Sequence, residues 1–128
     1  MGCDIHPHIE VKVKGKWLHY SCPLIDRWYA LFEKIAGVRG DVRNALAPPR
    51  GLPSDISEVT RICWTDEGGH TPTWLSSNEI EELCRWTDFF GEWRGQWQHK
   101  HLGYLCGNGF TYRPDGIDDV RLVCWFDN

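Results

Sequence analysis

The sequence predicts an α+β domain: an antiparallel sheet, made of an N-terminal hairpin plus C-terminal strands, packed with two main helices. Three observations predict it. Residues 3–14 and 119–126 alternate apolar and other side chains with period two, so each stretch offers one strand face to a core. Two internal stretches instead space their apolar residues as one helix face. The chain has 128 residues, 41% hydrophobic and 25% charged. That is one soluble domain, spanning 1–128, able to bury roughly two thirds of its unfolded surface.

In the first strand, Cys3, Ile5, Pro7, Ile9, Val11 and Val13 form the core face, and Asp4, His6, His8, Glu10 and Lys12 share the other. Lys14-Gly15-Lys16 is a turn, and Trp17-Leu18-His19-Tyr20 starts the returning strand of a hairpin. Asp26 caps a helix over 27–37, whose Trp28, Leu31, Phe32 and Ile35 fall on one face; Gly37 or Gly40 ends it. Residues 41–55, with Pro48, Pro49, Gly51 and Pro53, form a long loop. The stretch 56–64 reads equally as a short helix or a strand, and 65–73 is a second loop, carrying His70.

Ser76-x-x-Glu79 is a capping box that opens a helix to about Phe89, with Ile80, Leu83, Cys84 and Thr87 inward. Residues 91–109, rich in Gly, Trp and His, carry no clear period. Phe110-Thr111-Tyr112 reads as a strand and Arg113-Pro114-Asp115-Gly116 as a turn. In the terminal strand, Asp119–Phe126, one face is Val120, Leu122, Cys124 and Phe126, and the other is Arg121, Val123, Trp125 and Asp127.

Composition narrows the function. The net charge is −4 with no block of like charges, which argues against a duplex-DNA face. No apolar run approaches the ~20 residues of a membrane span. The start lacks a basic region followed by an apolar one, so the expected location is the cytosol. Six cysteines at wide spacing, with no Cys-x-x-Cys, are expected to stay reduced; Cys63, Cys84 and Cys124 have apolar neighbours and read as small core residues. Eight tryptophans fill a small core, with one or two available as a stacking surface.

The chain resembles a family of small, largely uncharacterised proteins of bacteriophages and prophages. The resemblance rests on Met1-Gly2-Cys3-Asp4-Ile5-His6, Arg27-Trp28-Tyr29-Ala30-Leu31-Phe32, Ala36-Gly37-Val38-Arg39, Arg50-Gly51-Leu52-Pro53-Ser54-Asp55, Gly69-His70-Thr71-Pro72-Thr73-Trp74-Leu75, and Val120-Arg121 with Phe126-Asp127-Asn128. It implies a phage-associated origin and brings no established reaction. Where the family's central loop resembles Gly-His-Ser-His-Ser, this chain has Pro72 in place of the second histidine.

The chemistry concentrates at the amino terminus. His-x-His on a strand offers two imidazoles from one rigid element, and zinc or another divalent metal takes nitrogen from His and oxygen from Asp. Asp4, His6 and His8 suffice by type, but residues two apart on a strand are roughly 7 Å apart at Cα, so a further group is expected from elsewhere. His70 and Asp127 are the candidates. The bland alternative leaves His6 and His8 solvated on an open sheet face, or His6 as a hydrogen-bonded structural histidine.

Three functions follow. The first is a metal-dependent hydrolase: Asp4, His6 and His70 hold the ion and carry catalysis, and His8 or Asp127 completes the shell. Arg39 or Arg50 then holds a small anionic, nucleotide-like substrate, such as a host defence signal, and Trp74 stacks its base. The second is a non-catalytic sponge or inhibitor that binds such a signal or a host protein. The third is a structural or interaction protein without an active site, with self-association left open.

Overall fold

The computed structural model describes residues 2–90 and 115–128. The sheet is antiparallel and open, with strand order β2-β1-β4-β3. Its strands are β1 (Asp4–Val13), β2 (Lys16–Ser21), β3 (His70–Ser76) and β4 (Asp119–Asp127), and the helices are α1 (Tyr29–Ala36), α2 (Glu58–Glu67) and α3 (Ser77–Phe90), with a 3-10 turn at Val42–Asn44. The α+β architecture is the one the hydrophobic patterning predicts. The expected strand Phe110–Tyr112 and the start of the Arg113–Gly116 turn lie outside the described residues.

The hairpin closes through Lys14 and Gly15, both at positive φ (52° and 78°). That pair is the type I′ turn, whose twist matches the strands it joins. The turn sets the register Val13↔Lys16 through Glu10↔His19, and a bulge after Ile9 pairs Ile9 with Ser21. β1 pairs with β4 from Asp4↔Asp127 to Lys12↔Asp119.

One sheet face carries Ile5, Ile9 and Val11 with Val120, Leu122, Cys124 and Phe126, packed against Leu31, Phe32 and Ile35 of α1 and Ile80, Leu83 and Cys84 of α3. The helix expected from residue 27 starts at Tyr29; Trp28 is the N-cap, with no side-chain cap bond, so Asp26 does not cap it. Gly37, at φ 75°, closes it. The Ser76 box forms as expected, with Ser76 N donating to Glu79 Oε1 at 2.9 Å and Glu79 N donating to Ser76 Oγ at 3.3 Å.

Two expectations are corrected. The second loop expected over 65–73 is instead the end of α2, which starts at Glu58 within the ambiguous stretch and runs to Glu67, and the start of β3 at His70. The polar face of β1 is also not open: α2 brings a third helix across it. There, Glu10 is fully buried, accepting from Ser57 N at 2.9 Å and from Arg121 Nε at 2.8 Å.

Candidate metal centre

The inward face of β1 carries His6 and His8, and the hairpin register puts His19 of β2 on the same side. From above, α2 supplies Thr60, Cys63, Trp64 and Glu67, one helical stripe. His8 is 2% exposed, and its ring stacks on Trp125 with centroids 4.7 Å apart. Trp125 is itself fully buried, with its indole Nε1–H unpartnered among the described residues.

Three donor atoms converge at His8. Its Nδ1 lies 3.1 Å from His19 Nε2 and 3.3 Å from Cys22 Sγ, and Cys22 Sγ lies 3.4 Å from His19 Nε2. A tetrahedral zinc with Zn–N of about 2.05 Å and Zn–S of about 2.3 Å separates two nitrogens by roughly 3.3 Å and nitrogen from sulfur by roughly 3.6 Å. The observed triangle is within a few tenths of an ångström of that. His8, His19 and Cys22 are thus positioned to hold a metal ion, as is a second set that shares the same histidine, His8, Cys63 and Glu67.

The electrostatics fit a ligand. Burial, with His19 and His6 nearby, pushes His8 from 6.5 down to about 4, against the pull of Glu10. The imidazole is therefore neutral at pH 7, the form that binds metals. Desolvation, aided by Cys63 and Glu67, raises the Cys22 thiol, so binding an ion there has to release a proton.

The residues singled out from the sequence distribute differently. His6 is adjacent to the centre but not in either ligand set: its Nδ1 lies 2.5 Å from Glu67 Oε2, and its Nε2 contacts Asp127 Oδ2. Both ring nitrogens and Asp127 are thereby committed to each other and to Glu67. Asp4 pairs with Arg27, which donates from Nε at 2.9 Å. His70 is in register with Phe126 and packs against its ring on the core side of the sheet, with Nδ1 2.9 Å from Thr71 Oγ1. The expectation that His70 shares an ion with His6 does not survive this placement, because β4 turns Phe126 and Trp125 to opposite faces. Of the five expected ligands, only His8 lies in a ligand set.

Arg50 and Trp74 do meet, the guanidinium 4.5 Å above the indole, on a groove of about 570 Å³. Arg50 is spent on Glu79, through Nη1 at 2.6 Å and Nη2 at 2.7 Å, and on the Trp74 carbonyl. An anion would have to displace that carboxylate. Arg39 stands elsewhere, over the Tyr29 ring and beside His70.

Four residues of the centre were missed. The hairpin signal already carried His19, since a two-residue turn at Lys14-Gly15 puts it opposite Glu10. Cys22 enters through the bulge after Ile9, which no pattern announces. Cys63 reads as core and Glu67 as loop in the sequence, because no apolar periodicity marks the helix that pairs them.

No family model, curated protein or solved structure matches the chain.

Proposed function

We propose that this chain is a small metal-dependent hydrolase with zinc held by His8, His19 and Cys22. The observation that carries the reading is the 3.1–3.4 Å triangle of donor atoms, prearranged at near-tetrahedral edges. Three protein ligands with an open fourth position are the pattern of catalytic zinc, and there the ion lowers the pKa of bound water toward ~7. Cys22 is exposed, which leaves the centre an approach from solvent. Glu67, backed by His6 and Asp127, stands on the Nε2 side of His8. A phage-associated origin, implied by the sequence resemblance, makes a nucleotide-like anion the substrate class to try first.

Purified protein is expected to hold one zinc per chain, which Cys22→Ser and His19→Ala reduce below ~0.3 while the circular dichroism spectrum stays as it was. Hydrolysis of a panel of nucleotides and cyclic dinucleotides should follow the same order, with metal loading and turnover lost together. Full zinc without turnover would leave a binding protein. Zinc retained by both variants would remove the proposed centre.

The second reading uses the other set, with the ion held by His8, Cys63 and Glu67.

A further inference from the structure

We propose that Glu67 is the positioning residue of this centre, its carboxylate orienting the His8 imidazole so that Nδ1 rather than Nε2 faces the ion. The inference rests on the metal reading above and deepens it.

His8 uses its two ring nitrogens differently. Nδ1 points into the triangle with His19 and Cys22. Nε2 points the other way, 3.8 Å from Glu67 Oε1, within electrostatic reach though beyond a hydrogen bond. A neutral imidazole carries one proton. A carboxylate on the Nε2 side draws that proton to Nε2 and leaves the Nδ1 lone pair for the ion. Ligating histidines generally donate their other ring N–H to such a partner, which fixes both tautomer and ring orientation.

Glu67 is itself held in place. Its other oxygen, Oε2, lies 2.5 Å from His6 Nδ1, and His6 Nε2 rests on Asp127 at the end of β4. The Asp127–His6–Glu67 chain thus ties the last turn of α2 to the sheet and sets the carboxylate opposite His8. His8 has little freedom to turn, being stacked on Trp125 and edge-on to His19 at 5.3 Å between centroids. The same carboxylate belongs to the second potential ligand set, with Cys63. A ligand and a positioning residue give different results when removed, so the two roles separate experimentally.

Three measurements on the full chain test this. In the metal-free wild type, long-range ¹H–¹⁵N spectra should show His8 protonated on Nε2. Glu67→Ala should lose that bias and weaken zinc binding ~10–100-fold in a competition titration. The absorption spectrum of the cobalt-saturated variant should keep its wild-type shape, because the ligands are unchanged. Glu67→Gln, which keeps the size of the side chain but not the charge that acts across 3.8 Å, should lose the bias and the affinity as the alanine variant does. If Glu67→Ala does not fold, Glu67→Asp takes its place, with its oxygens drawn back by one methylene and the same weakening expected. A wild-type Nδ1–H tautomer, or an alanine or aspartate variant with wild-type affinity, overturns the proposal. So does an altered cobalt spectrum, which would make Glu67 a ligand. A wild type that binds no zinc instead sinks the metal reading, and the tautomer comparison still decides what Glu67 does to His8.

Discussion

His8 makes the centre legible from one side only. Strand alternation puts it on the same face as His6 and Glu10, and that much follows from Asp4-Ile5-His6-Pro7-His8-Ile9-Glu10. Alternation cannot tell an imidazole left in water from one sealed under a helix, and burial is what gives His8 its chemistry. It also gives a pH signature. The folded chain holds His8 neutral down to about 4, whereas the unfolded chain protonates it near the ordinary value of 6.5. Below 6.5 the unfolded state binds the extra proton, so stability is lost as pH falls from 6.5 toward 4, and the loss stops below that. At ~1.4 kcal/mol per pH unit the upper limit is about 3 kcal/mol. Urea unfolding of the metal-free protein at pH 7 and 4.5 should show this loss, and His8→Gln should remove most of it. Equal pH dependence in the two proteins would mean that the His8 pKa is not depressed.

At the scale of elements, α2 explains why half the centre was hidden. A surface helix normally turns its apolar stripe inward. This one leaves Val59 and Ile62 about half exposed and faces the sheet with Thr60, Cys63, Trp64 and Glu67. Hydrophobic periodicity therefore gives no helix signal across 56–64, and Thr65-Asp66-Glu67-Gly68-Gly69 reads as loop. The helix is instead fixed by its start, where Ser57 Oγ accepts from Thr60 N. By contrast, the cap of α3 was fully readable, because Ser76 and Glu79 satisfy each other's backbone donors locally. Glu79 also anchors Arg50 from the long loop, so Glu79→Ala should cost about 1–2 kcal/mol. The cap alone accounts for about half of that. Adding Arg50→Ala to Glu79→Ala should cost only what its Trp74 contacts supply, and a double-mutant cycle with no coupling would show that the Glu79 pair contributes nothing.

For the whole molecule, the decisive fact is that the sheet is covered on both faces. Alternation, two amphipathic helices and the hairpin turn specified the core side, where, among the described residues, seventeen buried apolar residues form one cluster that takes Val120, Leu122, Cys124 and Phe126 from β4. The second side is held by polar contacts, and sequence patterns do not encode which polar residues meet. Its clamp is Glu10, at 0% exposure, with Arg121 at 5%; Arg121 reaches on to Asp55 Oδ1 at 2.7 Å, and Glu10 takes the Ser57 amide at the head of α2. Burial alone would raise the Glu10 carboxyl, but the hydrogen bonds from Ser57, Thr60 and Arg121 outweigh it and hold it below 4.5. Removing one partner leaves a buried charge, so Glu10→Ala should destabilise by about 3–5 kcal/mol. Because the same clamp seats α2, the variant should also weaken zinc binding. An unfolding free energy within about 1 kcal/mol of wild type in urea would show that α2 is held by other means.

X-ray absorption at the zinc edge of the loaded protein tests the central claim most directly. The centre described here predicts one sulfur at about 2.3 Å and two imidazole nitrogens at about 2.0–2.1 Å, with a light atom in the fourth position. A shell with no sulfur would contradict it, because no ion would then sit at Cys22. A second sulfur would contradict the open fourth position and bring Cys63 into the shell.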